Sequence, residues 1–273
     1  MTARGASQAL EFAGKSDVGR VRKNNEDNFA IVEDIGLIVV ADGMGGHNSG
    51  EVAATLAVET IRDFARKNLV PEGGDASLSP RARQLEYCVK SANELIYGKG
   101  RAFPKDAGMG TTVVAAFLDE KKMTVAHVGD SRLYLFRKGR LELLTEDHSL
   151  VGDQIRRGLI TAEEASKSAL QNILTRAVGA EPDVKVDVSE HPLFPGDVVV
   201  LATDGLTKMV TDEQVARTIA QDPAPEAVVS SLVSQACAAG GVDNVTVAAA
   251  RVADQAGDAV AGLKNLMSRF FGK

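Results

Sequence analysis

A chain of 273 residues, 44% hydrophobic but only 4% aromatic and without tryptophan, has the length for one domain with a large aliphatic core, and no Pro/Ser-rich linker divides it. The net charge of −6 goes with no clustered Lys/Arg surface of the kind a phosphate backbone rewards, so nucleic acid is not an expected partner. Cys88 and Cys237 lack partners at zinc-ligand spacing, and no apolar run suits a signal peptide or a transmembrane segment. Free buried thiols and a cytoplasmic, monomeric protein are expected.

In chain order, residues 29–41 read as two short strands with a turn at Glu33-Asp34, broken by Asp42-Gly-Met-Gly-Gly46. From Gly50 the period changes: Val52, Ala53, Leu56, Ala57, Thr60, Ile61 and Phe64 form one face of a helix ending near Lys67. After a loop at Pro71, Leu85, Val89, Ala92, Leu95 and Ile96 form the stripe of a second helix that stops before Gly98. Thr111–Leu118, Met123–Val128, Arg132–Arg137 and Leu141–Leu144 are β-rich and joined by polar turns, which predicts an antiparallel meander. Leu150–Lys167 is a polar, mostly helical insertion with a capping box at Thr161-Ala-Glu-Glu164, set between strands like a lid over about 149–172. Strands return at Val184–Ser189 and Val198–Ala202. Helices near Asp212–Gln221 and Pro225–Ala239 precede a last strand, Asn244–Val252. Strands alternating with paired helices predict packed sheets covered by helices, an α+β fold. The domain should span 1–254, leaving 255–273 as a weakly amphipathic basic tail (Leu263, Lys264, Leu266, Met267, Arg269, Phe270, Phe271, Lys273).

Several motifs fail on inspection. Gly14-Lys15-Ser16 lacks the earlier glycine of a phosphate-cradling loop, because Ala9 stands where it belongs, and lacks the following helix, because Ser16–Arg22 reads as loop. Neither cysteine is followed six residues later by arginine, where Glu94 and Asp243 stand, which removes a thiolate mechanism. Neither Asp42 nor Asp204 opens the alternating acid ladder of a calcium loop. What remains is a set of carboxylates at strand ends: Asp42, Asp204 and Asp243, joined by Asp130 and by Glu26-Asp27. One Asp-Gly alone is an ordinary turn dipeptide, but the repetition is not. A carboxylate at the mouth of a buried strand is costly without a positive partner, and no nearby Lys or Arg recurs to supply one. An oxygen-only set without His or Cys selects hard cations, Mg²⁺ or Mn²⁺.

The ordered series Gly19-Arg-Val-Arg22-Lys-Asn-Asn-Glu26-Asp27, Ala41-Asp42-Gly-Met-Gly-Gly46, Gly108-Met-Gly-Thr-Thr112, Val128-Gly-Asp130-Ser-Arg132, Thr145-Glu-Asp-His-Ser149, Ala202-Thr-Asp204-Gly205 and Asp243-Asn244-Val-Thr resembles the bacterial branch of the metal-dependent type 2C Ser/Thr protein phosphatases, from about Ser16 to Arg251. The resemblance implies a central β-sandwich of two antiparallel sheets flanked by helix pairs, with the metal site at one edge. It makes Asp42, Asp204 and Asp243 the catalytic carboxylates. Asp42 bridges two metals, the Gly43 carbonyl serves the second, Asp204 and Asp243 hold the first, and Asp130 with Asp204 forms a weaker third site. Arg22 grips the substrate phosphate, Glu26 and Asp27 orient metal-bound waters from behind the ligands, with direct ligation by Glu26 the alternative, and Asn244 supports them.

The implied chemistry is direct attack on phosphorus by a water that two cations roughly 3.5–4 Å apart activate, without a phosphoenzyme. Substrates would be phosphoserine and phosphothreonine proteins, in opposition to a Ser/Thr kinase. Two rivals share the fold: a phosphoprotein-binding pseudo-phosphatase, and a phosphatase restricted to anti-anti-sigma-like regulators. The chain departs from the family pattern at Met44, where many animal members carry histidine, and in the lid sequence Lys167-Ser-Ala-Leu-Gln171-Asn172. His47, His127 and His148 are expected to be structural.

Overall fold

The computed structural model describes residues 10–45, 49–70, 77–166 and 168–253. The tail at 255–273, the Pro71 loop, Gly46, His47 and Lys167 lie outside the described residues. The strands are β1 (Leu10–Asp17), β2 (Asp27–Val32), β3 (Leu37–Met44), β4 (Gly110–Thr111), β5 (Val113–Leu118), β6 (Lys122–Val128), β7 (Arg132–Arg137), β8 (Arg140–Leu143), β9 (Asp187–Pro192), β10 (Val198–Ala202) and β11 (Val245–Val252). The helices are α1 (Ser49–Arg66), α2 (Pro80–Ala102), α3 (Leu150–Arg156), α4 (Ala162–Ser166), α5 (Asp204–Thr207), α6 (Asp212–Gln221) and α7 (Pro225–Ala238).

Two antiparallel sheets, ordered β1-β11-β10-β7-β8 and β2-β3-β5-β6-β9, pack face to face. Because successive strand residues point to opposite faces, each strand feeds two cores. On β3, Leu37 and Val39 pack with Ala57, Ile61, Leu85 and Val89 of α1 and α2, while Ile38 and Val40 meet Leu133, Leu201 and Ala248 between the sheets. On β10, Val198 and Val200 pack with Ile219 and Leu232 of α6 and α7, while Val199 and Leu201 face inward. Both faces of each sheet are thus covered, which explains the unbroken apolar runs in these strands. Local signals fix the helices. Ser79 caps α2 by accepting from Ala82 N, with Pro80 in the first turn, and Thr211 with Gln214 closes a capping box on α6. Cys88 and Cys237 are free and buried.

The expected α+β architecture of sheets covered by helices is present, with several local corrections. The single meander is two hairpins in different sheets: β5 pairs β6, whereas β7 pairs β8 and β10. The crossing runs through Gly129, whose φ of 107° and close approach to the Thr112 side chain exclude a Cβ. β1, expected as loop at Ser16, is an edge strand paired with β11. α2 runs past Gly98 to Ala102 because that glycine faces open space and obstructs nothing. β9 begins three residues later than expected and ends at Pro192. The lid holds two short helices rather than one span, separated where Gly158 takes a φ of 68°. Thr161 and Glu164 do form the reciprocal cap, with Thr161 N donating to Glu164 Oε2 and Glu164 N to Thr161 Oγ1.

Candidate active site

The alternation that builds the core also aims the acids. Ile38 and Val40 of β3 point between the sheets, so Asp42, two residues on, continues that row; Asp27 of β2 lies opposite it in register. From the other sheet, Asp204 follows β10 as the first residue of α5, and Asp243 stands just before β11. Asp130 sits in the turn by which the chain changes sheets between β6 and β7. A cleft of about 240 Å³ at this end of the sandwich is lined by Arg22, Glu26, Asp42, Gly43, Asp130, Asp204, Asp243 and Asn244, together with Lys208 and the lid residues Asn172 and Leu174. Every site residue expected from sequence lines it except Asp27, which is buried beneath.

Asp27 Oδ2 accepts hydrogen bonds from Thr203 Oγ1 (2.9 Å) and Thr246 Oγ1 (2.7 Å), while its Oδ1 has no protein partner. Asp204 divides its oxygens in the same way: Oδ2 lies 2.6 Å from Lys208 Nζ, and the buried Oδ1 is unpartnered. Asp243 is more fully engaged, with Arg22 Nε at 3.0 Å and Asn244 N at 3.0 Å on Oδ1, and Arg22 Nη2 at 3.1 Å and Lys208 Nζ at 3.2 Å on Oδ2. Thr112 Oγ1 accepts from Asp42 N and shares a 2.7 Å hydrogen bond with Ser131 Oγ. Asn244 braces the loop before β2, since its Oδ1 accepts from Glu26 N and its Nδ2 donates to the carbonyls of Val18 and Asn24. The backbone is tight at Gly43, where a side chain would collide with the Gly50 carbonyl.

These surroundings work against ionisation. Burial, with the neighbouring acids second, pushes Asp42 well above the usual carboxylate range. Asp27 is pushed up to about 7 by burial and then by Asp204 and Asp243, against the pull of its two threonine hydroxyls. Burial and Asp204 push Asp130 to about 7 as well. Burial raises Glu26 and Asp204 too, opposed by Arg22 and Lys208 respectively. A converging set of carboxylates with two unpartnered buried oxygens is short of positive charge. Its donors are oxygens throughout, as magnesium and manganese require, so the residues present fit hard divalent cations.

Sequence reasoning missed Lys208, and with it the positive charge it took to be absent; the spacing of four from Asp204, the helical ion-pair interval, was the available signal. It also missed what the Thr112, Thr203 and Thr246 hydroxyls do: all three stand inside the family motifs, but nothing in the chain pairs them with Asp42 or Asp27. A second cluster gathers two of the histidines expected to be structural. His127, His148 and Asp187 each bring a ligating atom within 4.8 Å of the others. Gly129 N donates to His148 Nδ1, so its Nε2 carries the hydrogen toward Asp187 Oδ2 at 3.0 Å, while Arg176 Nη1 reaches Asp187 Oδ1 at 2.8 Å. Arg176 already supplies Asp187 with positive charge, and burial and His127 hold His148 down at about 4. The cluster clips the lid's base, where Leu150 N donates to Ile173 O and Thr175 N to His148 O.

A profile of the Protein phosphatase 2C family matches residues 18–233. The serine/threonine phosphatase stp of Listeria monocytogenes (serotype 4b, strain F2365) is 35% identical over 238 residues, covering 85% of this chain and 92% of the relative. Among solved structures, the Mycobacterium tuberculosis serine/threonine phosphatase PstP/Ppp superposes with a TM-score of 0.80 at 32% identity, over 90% of this chain and 99% of that one. The catalytic domain of PstP in complex with two manganese ions gives 0.78 at 34% identity, again over 90% and 99%. With a β-sandwich between helix pairs and a strand-end carboxylate cleft of this kind, the chain belongs to the protein phosphatase 2C family.

Proposed function

We infer that this chain, a serine/threonine protein phosphatase, hydrolyses phosphoserine and phosphothreonine at the cleft where Asp42, Asp130, Asp204 and Asp243 meet, with divalent metal as its cofactor. The observation that carries the reading is the convergence of these acids, with one buried oxygen of Asp204 and one of the underlying Asp27 left unpartnered. Manganese in the related PstP catalytic domain supports the choice of cation. Asp42 and the Gly43 carbonyl would hold one ion, Asp42, Asp204 and Asp243 another, and Asp130 with Asp204 a third. Bound there, Mn²⁺ or Mg²⁺ supplies Lewis-acid stabilisation of phosphoryl charge and acidifies water toward neutral pH.

The chain's own groups do the rest. Arg22, its side chain 53% exposed at the cleft rim, turns its guanidinium from Asp243 to the substrate phosphate, presenting two parallel donors to the equatorial oxygens. Asn244 fixes the loop carrying Arg22 and Glu26, so the guanidinium meets phosphate in a set orientation. Asn172 and Leu174, returning from the lid, wall the cleft and reduce its access to water. The rival readings find no support among the relatives, which are named as phosphatases. Opposition to a Ser/Thr kinase and action in the cytoplasm belong to the same proposal; no described helix is long and apolar enough to cross a membrane.

The test is phosphate release from a phosphothreonine peptide with Mn²⁺, with chelator, and with Asp204→Asn. Turnover only in the metal-loaded wild type is expected. Turnover that survives both chelator and substitution overturns the metal-dependent mechanism.

A further inference from the structure

We propose that Lys208 is a tethered cation of the carboxylate cluster, competing with divalent ions for Asp204 and Asp243 and so setting how tightly this chain holds them. This rests on the reading of the cleft as a divalent-ion site. Lys208 follows α5 directly, and its amide donates to the Asp204 carbonyl at 2.8 Å, so the start of its side chain is fixed relative to the acid it serves. Its ammonium lies 2.6 Å from Asp204 Oδ2 and 3.2 Å from Asp243 Oδ2, bridging carboxylates that come from separate strand ends of one sheet.

The two cations of the cleft are not equivalent. Arg22 is more than half exposed and sits on a loop, from which it can turn toward an incoming phosphate. Lys208 is only 21% exposed and is rooted at a helix end. Asp243 accepts from Arg22, Lys208 and the Asn244 amide together, so an ion ligated there must take lone pairs that these donors occupy. Asp204 shows the division of labour within one side chain: Oδ2 serves the ammonium and buried Oδ1 is left for an ion. A unit positive charge fixed at ion-pair distance from both carboxylates opposes a divalent ion at the same oxygens, in a partly buried setting where screening is weak. Lys208 also lines a neighbouring cavity of about 420 Å³, walled in part by Asp130 and the Arg132–Asp147 ion pair, which gives the ammonium room to move when it yields to an ion.

The test is calorimetric titration of Mn²⁺ into the chelator-treated 273-residue chain, with melting of the metal-free form alongside. Lys208→Met should bind Mn²⁺ at least about tenfold more tightly than wild type, the size expected when one fixed charge leaves such a cluster. Its metal-free form should melt lower, because Asp204 and Asp243 lose their compensating charge. Lys208→Arg, which keeps the charge, should stay near wild type on both measures. Unchanged or weaker affinity in Lys208→Met, with wild-type Mn²⁺ binding intact, overturns the proposal and leaves the metal-dependent reading standing. Absence of Mn²⁺ binding by wild type and every variant overturns both. Should Lys208→Met fail to fold, Lys208→Gln carries the same comparison.

Discussion

One strand of this protein carries an aspartate at each end, and the two live in different electrostatic worlds. Asp197, just before β10, is buried and satisfied: Arg137 meets it through Nε at 2.9 Å and Nη2 at 2.7 Å, and Phe194 N donates to it at 2.8 Å. Asp204, just after β10, has one lysine on one oxygen, no cation on the other, and acids for neighbours. The first is a complete bidentate pair whose role ends at holding β7 to β10. The second is incomplete as protein alone, and incompleteness in a buried charge indicates that something outside the chain finishes it.

Substitution at the two ends should separate these roles. Asp204→Asn is expected to lower phosphatase turnover by about 10²–10³-fold or more, the scale of losing one electrostatic stabiliser of the transition state, while the melting temperature in chelator holds or rises as a like charge leaves the cluster. Equal loss of activity and fold would erase the contrast. A pH scan comes next. Asp27 and Asp130 have native pKa values of about 7 against the usual aspartate 3.8, and Asp42 is raised too. The native state therefore binds more protons than the unfolded chain between these values, and stability declines as pH rises from about 4 through about 7. In chelator the melting temperature should fall over that window, and saturating Mn²⁺ should flatten the decline; a melting temperature that climbs from pH 5 to 8 in chelator contradicts the assignment.

Asp197→Ala should cost about 2–3 kcal/mol by denaturant titration, below the full value for a buried pair because Arg137 keeps some solvent, and leave turnover per folded molecule intact. Thr246→Val is the smallest change. It removes one of the two hydroxyls on Asp27 Oδ2 and should cost about 1 kcal/mol, with a further rise in the Asp27 pKa visible by carboxyl NMR.

How far each end was legible follows from the physics of each signal. The strand runs and the helical stripes at 50–67 and 85–96 are periodic, and periodicity survives any tertiary context. Asp204 stood out because Ala202-Thr-Asp204-Gly205 follows an apolar run and the same device recurs at Asp42. Lys208 did not, since a single lysine after a short helix looks like any solvated surface charge. The partners of Asp27 were hidden because Thr203 and Thr246 lie 176 and 219 residues away and meet it only when the sheets stack. The meander expectation failed at Gly129, where one glycine's conformation decides whether the chain continues a sheet or leaves it. β1 was missed because Gly14, Lys15 and Ser16 make a half-exposed edge strand look like loop.

The change of sheet at Gly129 has a mechanical side. Asp42 ends a strand of one sheet, Asp204 and Asp243 flank strands of the other, and Asp130 rides on the link between them. Ions shared among these four, as proposed, would rivet both plates of the sandwich. Their binding free energy would then oppose separation of the sheets, and metal occupancy would be readable as slowed hydrogen exchange along the facing ends of β3 and β10.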